Sequence, residues 1–198
     1  MNSKFMIQSV QKYCSQKLLK LRARANAQSE MIDMASQLTH IKEGLILLPA
    51  DERLLPPAVE KLTDFTTLFK ETNFQYIVLS SMPFDFPPQI KENSRFIAKK
   101  DLTLIGSPSK AFLEEFSNKR YDILIDLNIE FDAFATYLAS KSSARLRVCL
   151  SDPHREPFYN FQVSTFGANE IASKYNVLLK YLSEATSPSK KLDAFATM

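Results

Sequence analysis

Three polar constellations in this chain carry residue types capable of chemistry. The first is Asp51, followed by Glu52, directly beyond the apolar run Leu45 to Pro49. A carboxylate between a strand and a helix stands at the carboxyl edge of a parallel sheet, where open α/β folds take their ligands. Asp51 is therefore the best single candidate for a catalytic residue. The competing reading is that Asp51 and Glu52 only favour the positive end of the helix that follows. The second constellation is Asp126, Asn128, Glu130 and Asp132. These groups could line a crevice or offer oxygen ligands to a divalent cation. The plainer reading makes Asp126 or Asn128 the cap of a helix running through Phe131, and no metal is expected. The third lies in Ser151-Asp152-Pro153-His154-Arg155-Glu156-Pro157. His154 and Arg155 suit acid–base work or phosphate binding, although a lone histidine with no second histidine or nucleophile near it is more often a solvated loop residue. Asp126, Asn128, His154 and Arg155 are the candidate binding residues.

Other chemistries are excluded by what is missing. No serine stands in a nucleophile-elbow context, and neither Cys14 nor Cys149 has a local basic or helix-start setting that would activate it. Two cysteines and two histidines without ligand-like spacing argue against a structural zinc site. Two distant cysteines also make no disulfide framework, so a reducing compartment is the simpler expectation. The chain has only three glycines, Gly44, Gly106 and Gly167, all isolated. Phosphate-cradling loops need clustered glycine for close backbone approach. Dinucleotide binding of the Rossmann type and P-loop NTPase activity are disfavoured, and no cofactor is expected.

The elements that must position these groups follow a regular alternation. Tyr121 to Asn128 reads Tyr-Asp-Ile-Leu-Ile-Asp-Leu-Asn, a short apolar run of the kind that forms a strand buried on both faces. Around it the pattern predicts strands at Leu45–Pro49, Tyr76–Ser80, Asp101–Ile105, Arg145–Leu150 and Phe161–Thr165. Helices are expected at Leu54–Lys70, from Ser107-Pro108 to about Asn118, at Phe131–Ser142 and at Asn169–Glu184, with loops over 82–93 and 151–160. Such alternation means βαβ units. The expected fold is α/β, a mainly parallel Rossmann-like sheet flanked by helices, preceded by a long basic amino-terminal helix. The expected divisions are a basic amphipathic segment over 1–43, a Rossmann-like domain over 44–184 and a flexible tail over 185–198.

The amino-terminal segment has apolar residues Ile7, Val10, Cys14, Leu18, Leu21 and Ala25 at spacings of three and four, one helical stripe, with Gly44 read as the stop signal. Lys12, Lys17, Lys20, Arg22 and Arg24 lie largely off that stripe and are the candidate partner-binding residues. The first 25 residues hold six Lys or Arg and no acid. That bias suits an anionic surface; it also matches a mitochondrial-type presequence, although an ordinary basic helix is the simpler reading. A net charge of +3 does not by itself imply nucleic acid. No apolar stretch reaches the length of a membrane span, and no secretory signal is visible.

Several of these features, taken in order, resemble the amino-terminal half of heptosyltransferases, the family-nine glycosyltransferases of the GT-B class. The matching residues are Leu45 to Pro49 followed by Asp51 and Pro57-Ala58-Val59, the Tyr121 to Leu127 strand, the basic strand Arg145-Leu146-Arg147-Val148-Cys149, and the loop ending Phe158-Tyr159-Asn160. The resemblance spans roughly 44–182. It implies that Asp51 is a general base for an acceptor hydroxyl. The sequence departs from the family at Ala50 and Cys149, where glycines are expected. The family's second, nucleotide-sugar-binding domain has no counterpart here, so the resemblance implies an acceptor-side half alone. A group of uncharacterised bacterial proteins with a basic helix and one such domain is similar as well. The function expected is a non-catalytic binding or structural subunit, docking onto a larger protein complex or an anionic membrane surface through its amino-terminal helix. RNA ranks below these partners. The alternative is a glycosyltransferase-like enzyme needing a donor domain from another chain. The expected location is cytoplasmic, with a peripheral position on the inner membrane as its variant.

Overall fold

The computed structural model of the protein describes Lys17, Leu38, residues 41–79 and residues 84–186. Lys17 is helical and exposed. Lys12, Lys20, Arg22 and Arg24, with most of the expected basic helix, lie outside the described residues.

Six parallel strands form one sheet in the order β3-β2-β1-β4-β5-β6. The strands are β1 (Glu43–Leu48), β2 (Asn73–Val78), β3 (Ser94–Phe96), β4 (Ile123–Asp126), β5 (Leu146–Leu150) and β6 (Phe161–Val163). The helices that follow β1 among the described residues are α1 (Leu55–Leu68), α2 (Pro88–Glu92), α3 (Lys110–Ser117), α4 (Ala133–Lys141) and α5 (Ile171–Thr186), with a 3-10 turn at Lys99–Asp101. The expected α/β sheet is thus the observed one. β1 and β4 are its two central strands, and every side chain of β4 is buried. That is why its sequence is apolar without alternation.

Each sheet face has its own core. Ile46, Leu48, Tyr76, Val78, Ile125 and Val148 pack with Leu62 and Phe65 of α1 and Leu178 and Leu182 of α5. Leu38 and Ile41 join the same cluster. On the other face Leu45, Leu47, Ile77, Leu124 and Cys149 pack with Phe112 and Phe116 of α3 and Phe134 and Leu138 of α4. The period-two alternation of strand side chains sorts them this way.

Four local expectations are corrected. Asp101–Ile105 is not a strand. Asp101 instead closes the 3-10 turn, its carboxylate accepting from Ala98 N at 2.9 Å, and Leu104 is 93% exposed. The third strand is Ser94–Phe96, immediately beyond the stretch read as loop, and it is too short to show a period. Ser107 does not cap α3; Ser109 does, accepting from Phe112 N, while Ser107 bonds Thr103 to close the preceding loop. The cap of α4 is Asp132, which accepts from Ala135 N at 2.8 Å, rather than Asp126 or Asn128. Gly44 is no stop signal but part of β1: a Cβ there would meet the Phe74 ring at 2.3 Å.

Candidate functional site

The chain runs outward from β1 to β2 and β3, then returns to β4 on the other side of β1. The carboxyl ends of β1 and β4 therefore border the point where strand order reverses, the usual ligand crevice of an open α/β sheet. Here the protein bridges that point with its own groups. Leu127 N donates to Leu47 O at 3.0 Å, and Ala50 N donates to Asn128 Oδ1 at 3.3 Å.

Behind this bridge lies a buried polar network. Asp126 Oδ1 accepts from Asn128 N at 2.9 Å and from Asn128 Nδ2 at 2.8 Å. Asp126 Oδ2 pairs with Arg155 Nη2 at 2.6 Å, and neither side chain is exposed. The Tyr159 hydroxyl donates to the same oxygen. Arg155 Nη1 donates to Asn128 O at 2.6 Å, and its guanidinium lies 4.8 Å from the centre of the Tyr159 ring. Burial, and then the Asp126 charge, push the Tyr159 hydroxyl well above its ordinary range. The Tyr175 hydroxyl, on α5, donates to Leu127 O at 2.8 Å from the opposite face. Cys149 is buried beside the network, and burial pushes its thiol up to about 12. It is not a thiolate near neutral pH.

In front of the bridge is a cleft of about 390 Å³. Asp51, Asn128, Glu130 and Asp132 line it, together with Arg53 and Lys174. Asp51 is held by its neighbour: Arg53 N and Nε donate to Oδ1 at 2.9 and 3.1 Å, and Arg53 Nη2 reaches Oδ2 at 2.6 Å. These bonds hold the Asp51 carboxyl below its ordinary value. Asp132 moves the other way. Burial pushes it up to about 6, against the opposing hydrogen bond from Ala135, with the Asp126 charge adding to the rise.

His154 does not line this cleft. Its loop is tied down by Asp152, which accepts from His154 N at 2.7 Å and from Phe131 N at 3.3 Å. Asp51 and Asn128 thus share one cleft, Asp126 and Arg155 lie sealed behind it, and His154 stands apart. Among the described residues no group of three or more His, Cys, Asp or Glu is arranged to hold a metal ion.

Sequence reasoning did not single out Asp132 as a titrating group, Lys174 as a cleft residue or Tyr159 as a partner of Asp126. The dense polarity around Asp126 was legible. Which of its members would be buried depends on how the 151–160 loop folds back, and no local pattern encodes that.

The fold and the bridged crevice define a doubly wound α/β domain whose strand-end polar groups bind one another. Residues 8–184 match the model of a family described as Family of unknown function (DUF6913), and the chain belongs to that family. No curated protein matches the sequence. Among solved structures the chain is similar to E. coli heptosyltransferase WaaC with ADP, at 14% identity and a TM-score of 0.45, over 76% of this chain and 48% of that one. The chain spans about half the length of that relative.

Proposed function

We propose that the protein is a non-catalytic binding domain, a structural subunit that docks onto a larger protein assembly or an anionic membrane surface through its basic amino-terminal segment. The observation supporting this reading is that the strand-end carboxylates already have internal partners. Asp126 is sealed against Arg155 and Tyr159. Asp51 is held low by Arg53, whereas a general base working near neutrality needs its pKa raised. Among the described residues no helix is long and apolar enough to cross a membrane. The basic residues to which we assign the docking are Lys12, Lys17, Lys20, Arg22 and Arg24.

A second reading, a glycosyltransferase-like acceptor half completed by another chain, is favoured by one observation. Asp132, with its carboxyl pushed up to about 6, shares the carboxyl-edge cleft with Asp51. A carboxyl in that range suits proton transfer.

Full-length protein separates the two. In one variant Lys12, Lys17, Lys20, Arg22 and Arg24 are all changed to Gln; in another Asp51 is changed to Asn. Association with vesicles of anionic phospholipid and with the high-mass fraction of a lysate is followed as salt rises. Docking predicts that the five-fold variant loses association and the Asp51 variant keeps it. A steep salt dependence indicates a phosphate-rich partner and a shallow one a packed apolar interface. Undiminished association in the five-fold variant overturns the proposal.

A further inference from the structure

Among the described residues five large apolar side chains are exposed, and three of them, Phe96, Leu102 and Leu104, lie between positions 96 and 104. They belong to the end of β3 and to the loop that joins it to α3, at the carboxyl edge of the sheet. Leu104 is 93% exposed. Single surface leucines are ordinary, whereas apolar residues gathered in one exposed place mark a contact.

The loop is built to hold that leucine outward. Thr103 N donates to Ser107 O at 2.8 Å, Gly106 N donates to Thr103 O at 3.0 Å, and Leu102 bridges Pro108. The Thr103 and Ser107 hydroxyls are bonded at 2.7 Å, and Ser109 N donates to Asp101 O at 2.7 Å. Leu104 and Ile105 are thus the two central residues of a reverse turn, closed by Gly106 at φ 77°. Such positions ordinarily go to Pro, Asp, Asn, Ser or Gly. Two branched apolar residues there break the local rule, and breaks of this kind gather at functional sites.

The charge of the loop itself has one sign. Residues 97–113 contain Lys99, Lys100 and Lys110 and a single acid, Asp101. Asp101 is turned inward onto Ala98 N and Arg95, while all three lysines are exposed. Lys110 stands 3.6 Å from Glu114, and a pair so exposed is worth little in water. The exposed carboxylates Asp85 and Glu92 precede β3, and Glu52 and Glu130 follow β1 and β4 at the middle of the sheet.

We infer that this turn is a membrane-insertion tip. Leu104 enters the boundary between headgroups and acyl chains of an anionic phospholipid bilayer, and Lys99, Lys100 and Lys110 meet the phosphates. Binding at such a boundary grows with buried apolar area and with attraction to anionic lipid, and lysine stems can lie along hydrocarbon while their charged ends stay with the headgroups. A stable protein interface takes about 800 Å² from each partner, more than one four-residue turn presents. The turn is already closed by its own hydrogen bonds, so insertion orders little more of the chain. The inference rests on the membrane form of the docking reading: the basic segment brings the chain to the surface, and the turn decides which edge of the sheet faces lipid.

The chain has no tryptophan, so Leu104→Trp gives the full-length protein a single reporter. It is mixed with vesicles of phosphatidylglycerol and phosphatidylcholine or of phosphatidylcholine alone, and binding is followed by co-sedimentation. Insertion predicts a blue-shifted emission, quenched by lipids brominated in the acyl chain, with the anionic vesicles only. Phe166→Trp, in the exposed turn beyond β6, is the control and should keep its emission in water. Adding Lys99→Gln and Lys100→Gln to the Leu104→Trp protein should cut the quenching about threefold or more. Leu104→Ser, which carries no probe, should lower the bound fraction about threefold. Co-sedimenting protein whose tryptophan at 104 emits as in water overturns the inference and leaves the docking reading intact. So does equal quenching at positions 104 and 166, or quenching indifferent to the two lysines or to vesicle charge. Absence of co-sedimentation with either vesicle overturns the inference as well, and confines the docking reading to a protein assembly.

Discussion

Arg155 Nη2 lies 2.6 Å from Asp126 Oδ2, with both side chains fully buried. The pair fastens the loop after β5 to the end of β4. Taking either charge away leaves the other uncompensated in a dry interior, which costs about 3–5 kcal/mol. Asp126→Ala and Arg155→Ala should each lower the unfolding free energy by that amount, read from urea denaturation. A joint Asp126→Leu, Arg155→Met exchange should cost less than the sum of the single changes, since it leaves no orphaned charge. Additive losses would show that the two residues act separately.

Asp132 gives the protein a pH signature. Its folded-state value of about 6 lies above its ordinary value of 3.8, so the native state holds the proton longer than the unfolded chain does. Its contribution to stability is full below about pH 4 and is lost as pH rises through about 6. Asn still caps a helix but does not ionise. Asp132→Asn should therefore flatten the fall in stability between these two values. The check is urea unfolding at several pH values, beside a direct titration of the Asp132 carboxyl by NMR.

Gly44 is required by contact rather than by backbone conformation. A Cβ added there would lie 2.3 Å from the Phe74 ring and 3.0 Å from Thr72 Cγ2. Gly44→Ala should destabilise the domain by about 1–3 kcal/mol, the usual cost of overpacking a core. Gly44→Ala combined with Phe74→Leu should recover part of that loss in a thermal melt.

Cys149 should be chemically silent while the protein is folded. Its thiol is buried and pushed up to about 12. A disulfide reagent at neutral pH should label Cys149 only at the rate of unfolding. Rapid labelling of Cys149 in the native protein would mean that the network around Asp126 is open to solvent.

The sheet was readable because its inner strands are short apolar runs, and Ile123 to Asp126 is the plainest of them. The edge was not. Ser94–Phe96 has three residues, too few for a period, while Asp101–Ile105 imitates a strand and instead becomes a turn around the Asp101 carboxylate. The candidate site divides along similar lines. Asp51 at a strand end is a local feature of the sequence. The burial of Arg155 is not: a polar loop looks solvated until its arginine finds Asp126, far away in the chain. Asp132 is likewise only a helix cap in sequence, and its raised pKa comes from burial and the charge of Asp126.

The central claim is that the domain attaches rather than turns over a substrate. The most direct test is calorimetric titration of the full-length protein with nucleotide sugars, with Asp51→Asn and Asp132→Asn variants alongside. Attachment predicts no saturable heat from any of the three proteins. Saturable binding by the parent that either substitution abolishes would contradict the claim and make the cleft between Asp51 and Asp132 an active site.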